Sequence, residues 1–346
     1  VRDLAFAIPG DLTSPTGGYE YDRRLIALLS AHFRVRHIEL PASFPHPTAG
    51  DLASTARALA DIARDAMLLV DGLAYGAFSS DLVANIRAPI AALVHHPLAY
   101  ETGLSDACRA SVQASERAAL ARARTVIATS PSTRTILERE YGVPSSRLFV
   151  AEPGTDRVER ARGAGDVPTI LAVGAVSPRK GYDVLVDALR PLADRAWRAV
   201  IVGSLVHDPK TAERLRRQIE ASGLGDRVRL TGAVSAADLA EFYATADVFV
   251  LSSLYEGYGM ALADAMTRGL AIVSTTGGAA SETVPDGAAL KVPPADVRAL
   301  SYAIARVLAD ADLRRSLADA SWHAGQRLPR WEDTAGIVAA ALESAA

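Results

Sequence analysis

The 346-residue chain reads as an α/β protein of two doubly wound, Rossmann-like domains facing each other across a cleft. Three observations predict this. Short β-branched or apolar runs alternate with amphipathic helical stretches along the whole length, the pattern of right-handed βαβ units around a parallel sheet. The alternation lapses once, over residues 152–167, and then begins again. The length also exceeds that at which one hydrophobic core keeps growing, so each half has to bury a core of its own.

In order, the runs at 4–8, 35–39, 67–70, 90–94, 125–128 and 148–151 read as the strands of the first domain. Glu152-Pro153-Gly154-Thr155-Asp156 and the polar, Gly-containing stretch that follows form the linker. A second series has strands at 169–173, 199–202, 228–230, 248–251, 271–274 and 288–291, with helical patterns alone after Pro294. The expected domains are 1–155, 156–328 and a terminal helical segment, 329–346, whose helix over 331–345 crosses back to the first domain.

Composition narrows the function. Hydrophobic residues make up 49% and charged residues 22%, which is an ordinary globular balance. The net charge of -3 arises from interspersed signs without a basic block, so nucleic acid is a poor partner. Cys108 is the single cysteine, which excludes an internal disulfide and a cysteine-based zinc cluster and fits a reducing cytoplasm. No export signal or transmembrane segment is visible, so any membrane contact is expected to be peripheral.

In doubly wound sheets ligands bind beyond the carboxyl ends of the strands, and the loops there carry the candidate chemistry. The run at 248–251 leads into Ser252-Ser253-Leu254-Tyr255-Glu256-Gly257-Tyr258-Gly259, after which Met260 to Thr267 reads as a helix. The glycines allow a tight turn, and the N–H groups opening the helix suit an anion such as a diphosphate. Asp264 lies four residues past Met260 on the same helical face. A plain structural reading has Glu256 capping the helix and Asp264 solvated. The loop Gly174-Ala175-Val176-Ser177-Pro178-Arg179-Lys180-Gly181 places two cations at a helix start, where positive charge opposes the helix dipole unless an anion sits between them.

The 252–264 segment resembles the family 4 retaining glycosyltransferases, whose hallmark is a Glu-x7-Glu motif within a Tyr-Glu-Gly-Phe-Gly type sequence on a GT-B fold. The resemblance covers essentially the whole chain. It implies a metal-independent hexosyltransferase that moves a hexose from a nucleoside-diphosphate sugar to an acceptor hydroxyl with retention of configuration. The expected donor site lies between Arg179-Lys180 and residues 256–264. By the resemblance, Glu256 contacts sugar hydroxyls, the amides of Gly259, Met260 and Ala261 hold the diphosphate, and Asp264 stands where a glutamate binds the ribose. Asp264 is one methylene shorter than the family residue. Ala175 stands where many members carry arginine, so Arg179 would supply that cation beside Lys180.

The resemblance also assigns Gly17 and Gly18 to the N-terminal glycine loop near the donor. It gives His95, at the end of the 90–94 strand, a hydrogen bond at the reacting sugar, and gives Gly203 and the Ala233-Val234 stretch to the donor nucleotide. No Asp/Glu/His set at ligand spacing accompanies His95-His96, so no metal site is expected. No cofactor beyond the nucleotide sugar is implied, and no enzymic base is assigned. The family's acceptors are glycans, lipids or small molecules, and the acceptor-side loops are 40–50 and 71–80. Closure about the 152–167 linker would exclude water from the donor. Two alternatives stay open: a catalytically silent sugar-nucleotide-binding or scaffold protein on the same fold, and an NAD-dependent oxidoreductase. Against the second, no Gly-x-Gly-x-x-Gly follows any predicted strand.

Overall fold

The computed structural model describes residues 2–344. Six strands form the first sheet: β1 (Arg2–Pro9), β2 (Phe33–Leu40), β3 (Met67–Asp71), β4 (Ile90–Val94), β5 (Thr125–Ala128) and β6 (Leu148–Val150). Six form the second: β7 (Thr169–Val173), β8 (Arg198–Val202), β9 (Val228–Gly232), β10 (Val248–Leu251), β11 (Ala271–Thr275) and β12 (Ala289–Val292). The spatial orders are β2-β1-β3-β4-β5-β6 and β12-β11-β10-β7-β8-β9. Every pairing in both sheets is parallel.

The chain divides into two compact units. One takes in the chain to Ser14, Gly18–Gly154 and the segment from Pro329; the other takes in Pro15–Gly17 and Thr155–Leu328. In each, the central strands are buried on both faces, which is why they read as unbroken apolar runs. In the second unit Ile170, Ala172, Val248 and Val250 pack on one face, and Leu171, Phe249 and Leu251 on the other.

Several strands run one or two residues beyond the predicted apolar stretches. β1 takes in Arg2 and Asp3, β3 takes in Asp71, and β9 reaches Gly232 past an irregularity at Ile201/Val202. The hydrogen-bonded ladder does not require an apolar side chain, so the pattern of apolar residues understates its length. β12 is Ala289–Val292, one residue later than the predicted 288–291.

The predicted linker is irregular, but it is not a loose tether throughout. Ala161 N donates to Arg268 O at 2.9 Å and Arg162 N to Ala244 O at 2.8 Å, which binds that stretch to the second unit. The terminal helix, Trp331–Ser344, packs within the first unit. Trp331 meets the ring of Tyr21 edge-on at 5.8 Å, with the Arg24 guanidinium 5.5 Å from its centroid. Thr334 Oγ1 donates to Glu152 O at 2.7 Å. A side chain at Gly154 would fall 2.3 Å from Trp331 N, so only glycine lets the helix start there. The last residue of the predicted helix, Ala345, lies outside the described residues. Among the described residues no helix is long and apolar enough to cross a membrane.

Candidate active site

Each sheet reverses its winding once. In the second, the chain builds β7, β8 and β9 outward and then returns with β10 on the other side of β7. In the first, β2 and β3 lie on opposite sides of β1. At such a switch point the loops leaving two neighbouring strands diverge to opposite faces and open a crevice at their carboxyl ends. The loops after β7 and β10 are 174–181 and 252–259, the two segments singled out in the sequence.

Glycine brings these two loops together. Gly181 has φ 58°, and a Cβ there would lie 2.3 Å from Ser252 O, so a side chain at 181 is excluded by both backbone conformation and space. The approach is sewn by Leu254 N donating to Arg179 O at 2.7 Å and Ser252 Oγ to Lys180 O at 2.9 Å. Pro178–Lys180 forms one 3-10 turn before the Tyr182–Leu189 helix, which points both cations back toward β10. Gly203 packs on the same loop; a Cβ at 203 would lie 2.0 Å from Gly174 O.

Both cations meet Glu256. Lys180 Nζ is 2.6 Å from Glu256 Oε1, and Arg179 Nη1 is 3.3 Å from Oε2 while donating to Tyr255 O at 2.8 Å. Ser253 Oγ donates to Oε1 at 2.6 Å. The Glu256 side chain is 7% exposed. Burial alone would push its carboxyl up, but the charges of Lys180 and Arg179 and the hydrogen bonds from Lys180 and Ser253 outweigh it, and the carboxyl is held at about 2. Glu256 is therefore ionised and does not cap the following helix, whose N-cap Gly259 carries no side-chain hydrogen bond. Its backbone is fixed as well, through Glu256 N to Gly277 O at 3.1 Å and Ala279 N to Glu256 O at 2.9 Å.

The Met260–Thr267 helix opens from Gly259, which has φ 97°. The first bonds to Gly259 O come from Leu262 N and Ala263 N. The amides of Met260 and Ala261 belong to the first turn, where the helix supplies no acceptor and an anion can. Met260, Ala261 and Asp264 share a partly exposed face. Asp264 is 45% exposed on its side chain, and Arg268 Nη1 lies 3.7 Å from its Oδ1. Ala233 and Val234 follow β9, two strands from β7, just before the Ser235-capped helix. They adjoin the Gly203 loop, where Gly203 N donates to Gly232 O at 3.1 Å.

The first unit holds a second cluster at its own switch point. The Gly17–Leu29 helix carries Asp22, β3 ends on Asp71, and His95 follows β4. His95 Nε2 lies 3.4 Å from Asp22 Oδ1 and 3.4 Å from Asp71 Oδ2. A Cβ on Gly18 would sit 3.6 Å from His95 Cδ2, in ordinary contact. Asp71 Oδ1 also accepts from Leu73 N at 2.6 Å, and Thr129 Oγ1 donates to His95 O at 3.0 Å. His96 has a different partner, Glu101, at 3.2 Å.

This corrects the expectation that no Asp/Glu/His set at ligand spacing accompanies the histidine pair. The side-chain ligand atoms of Asp22, Asp71 and His95 lie within 4.8 Å of one another. The partners come from positions 22 and 71, far from 95 in sequence, and only the order of strands β1, β3 and β4 brings them together. Ser253 was also not singled out, although its place three residues before Glu256 in the same turn was a usable signal.

Comparison with known proteins agrees with this architecture. The family model described as Glycosyl transferases group 1 matches residues 156–322, and that described as Glycosyltransferase Family 4 matches residues 13–159. A mannosylfructose-phosphate synthase of Agrobacterium fabrum is 29% identical over 237 residues, 63% of this chain and 52% of that protein. The chain thus spans about half the length of that relative. An MMP alpha-(1->4)-mannosyltransferase of Mycolicibacterium hassiacum is 28% identical over 327 residues, 88% of this chain and 76% of the relative. The fold superposes on sucrose-phosphate synthase from Thermosynechococcus elongatus with a TM-score of 0.84 at 24% identity, covering 100% of both chains. With two parallel six-stranded sheets, and with the two family models meeting near residue 156, the chain belongs to the group 1, family 4 glycosyltransferases of the GT-B fold.

Proposed function

We propose that this chain is a retaining hexosyltransferase that takes a hexose from a nucleoside-diphosphate sugar and passes it to an acceptor hydroxyl without a metal ion. The observation that carries the reading is the pairing of Lys180 and Arg179 with the buried Glu256 at the β7/β10 switch point, in the loop that leads into the helix opening with Met260 and Ala261. Breaking the bond between the anomeric carbon and the diphosphate leaves negative charge on the phosphate and positive charge on the sugar. Fixed donors and cations already in place stabilise that charge without reorganising. Arg179 and Lys180 are assigned to the phosphate oxygens, together with the amides of Gly259, Met260 and Ala261. Glu256, ionised and held by Ser253, is assigned to the sugar hydroxyls, and Asp264 to the ribose. Gly203, Ala233 and Val234 are assigned to the nucleotide, Gly17 and Gly18 to the glycine loop, and His95 to a hydrogen bond at the reacting sugar.

In this mechanism the acceptor oxygen forms the new bond on the face from which the diphosphate departs, and the leaving phosphate takes the acceptor proton. No enzymic base is required. The names of the two relatives, both concerned with mannosyl transfer, support a hexose as the moving group. The test is a screen of UDP-, GDP- and ADP-hexoses for slow hydrolysis in the absence of acceptor, read by released nucleotide and repeated in excess EDTA. Release from one donor that persists in EDTA, with an axial product anomer by NMR from an axial donor, is expected. Tight nucleotide binding without turnover of any donor, or loss in EDTA restored by a divalent ion, would refute it.

A further inference from the structure

Asp22 is 0% exposed, and neither of its carboxylate oxygens forms a hydrogen bond. Asp71 is 4% exposed, and one of its oxygens is committed to the backbone of Leu73. Burying two carboxylates side by side is costly unless they serve a shared cation, and apolar residues would fill the same space at lower cost. The positive group they converge on is the His95 ring, and they meet it from one side, at Nε2.

Nε2 is buried and faces both carboxylates at 3.4 Å as an ion pair without forming a hydrogen bond. The side chain as a whole is 22% exposed. Tyr21 braces the ring, meeting it edge-on at 5.3 Å and 88°. The orientation is therefore set by three elements: the Gly17–Leu29 helix, the end of β3 and the end of β4.

We propose that Asp22 and Asp71 are positioning residues that clamp His95 through Nε2, so that the ring meets the sugar with Nδ1–H as a hydrogen-bond donor. The proposal rests on the assignment of His95 to the reacting sugar and refines it, because a ring held this way donates and does not accept. The groups facing the ring are Asp22, Tyr21 and Gly18 from the helix and Asp71 from β3, while Thr129, from beyond β5, holds the backbone carbonyl of His95. Tyr19 is close enough for both carboxylates to act on its phenol, which is itself bonded to Pro9 O at 2.7 Å. Burial would lower the basicity of His95, but the two carboxylates raise it to about 10, consistent with an imidazolium at neutral pH. The same geometry pushes Asp22 up to about 7, through burial first and then the charge of Asp71.

The test has one arm independent of activity. Nitrogen-15 NMR of the imidazole rings in the full chain should show both His95 nitrogens protonated from pH 6 to pH 8. Asp22→Asn and Asp71→Asn should each lower the midpoint by at least one pH unit; both are close to isosteric, and the amide oxygen of asparagine at 71 can still accept from Leu73 N. A neutral His95 ring at pH 7, an unchanged midpoint in both variants, or stoichiometric uptake of Zn2+ or Mn2+ at His95 overturns the clamp. The second arm uses amide mimics. His95→Asn places an amide nitrogen near the former Nδ1, and His95→Gln places one near Nε2. The asparagine variant should retain at least tenfold more kcat/KM than the glutamine variant. In Asp71→Asn the activity should fall with rising pH from a midpoint at least one unit below that of the parent, which a folding defect would not produce. A clamp intact by NMR with equal asparagine and glutamine variants overturns the sugar contact, and absence of turnover with every donor indicts the transferase reading instead.

Discussion

Substituting Glu256 by glutamine keeps the shape of the side chain and removes its charge from between Lys180 and Arg179. The magnitude follows from the carboxyl's titration. It is held at about 2 in the fold against an ordinary 4.5. A depressed acid contributes stability that is fully present above its unfolded value and is lost as the pH falls through the folded one. At about 1.4 kcal/mol per pH unit of displacement, the ionised network contributes about 3 kcal/mol at neutral pH and about 1 kcal/mol at pH 3. Glutamine has no such dependence. Glu256→Gln should therefore lower Tm by about 6–12 °C at pH 7 for a unit of this size, and the gap to the parent protein should shrink by more than half at pH 3. Differential scanning fluorimetry across that range reads both. A gap that stays constant with pH would mean that the charge of Glu256 is not what holds the β7 and β10 loops together.

Three further predictions concern the same region. Lys180→Ala should weaken nucleoside diphosphate binding by about 2 kcal/mol, roughly thirtyfold, in titration calorimetry, and an unchanged affinity would remove Lys180 from the donor site. Asp264→Glu should bind the donor at least as well as the parent, since the partly exposed helix face has room for one more methylene; a large loss would mark a pocket specialised for the shorter acid. Gly181→Ala should cost at least about 2 kcal/mol in a thermal melt, because it combines φ 58° with a Cβ 2.3 Å from Ser252 O. A melt like that of the parent would mean that the two loops do not need their close approach.

The sequence alone determined the α/β class and the strands within one or two residues, and it singled out the segments 174–181 and 252–264 that are assigned above to the donor. These are local properties. Apolar runs, helical periodicity and glycine turns are written within a few residues of one another, and a parallel sheet buried on both faces makes its strands conspicuous. Tyr255-Glu256-Gly257 and Arg179-Lys180 were legible as an acid and two cations of one site. That they bind each other, with Ser253 completing the group, was not.

Only the tertiary structure decided the partnerships. Lys180 and Glu256 are 76 residues apart, and they meet because β10 returns beside β7 and because Gly181 admits Ser252 O where any side chain would block it. His95 was singled out in the sequence without its partners Asp22 and Asp71; the three sit on different elements and became one cluster because β1, β3 and β4 are neighbours. Strand order is a long-range choice that periodicity does not encode. It determines which carboxylate faces which cation, and with that the charge each group carries.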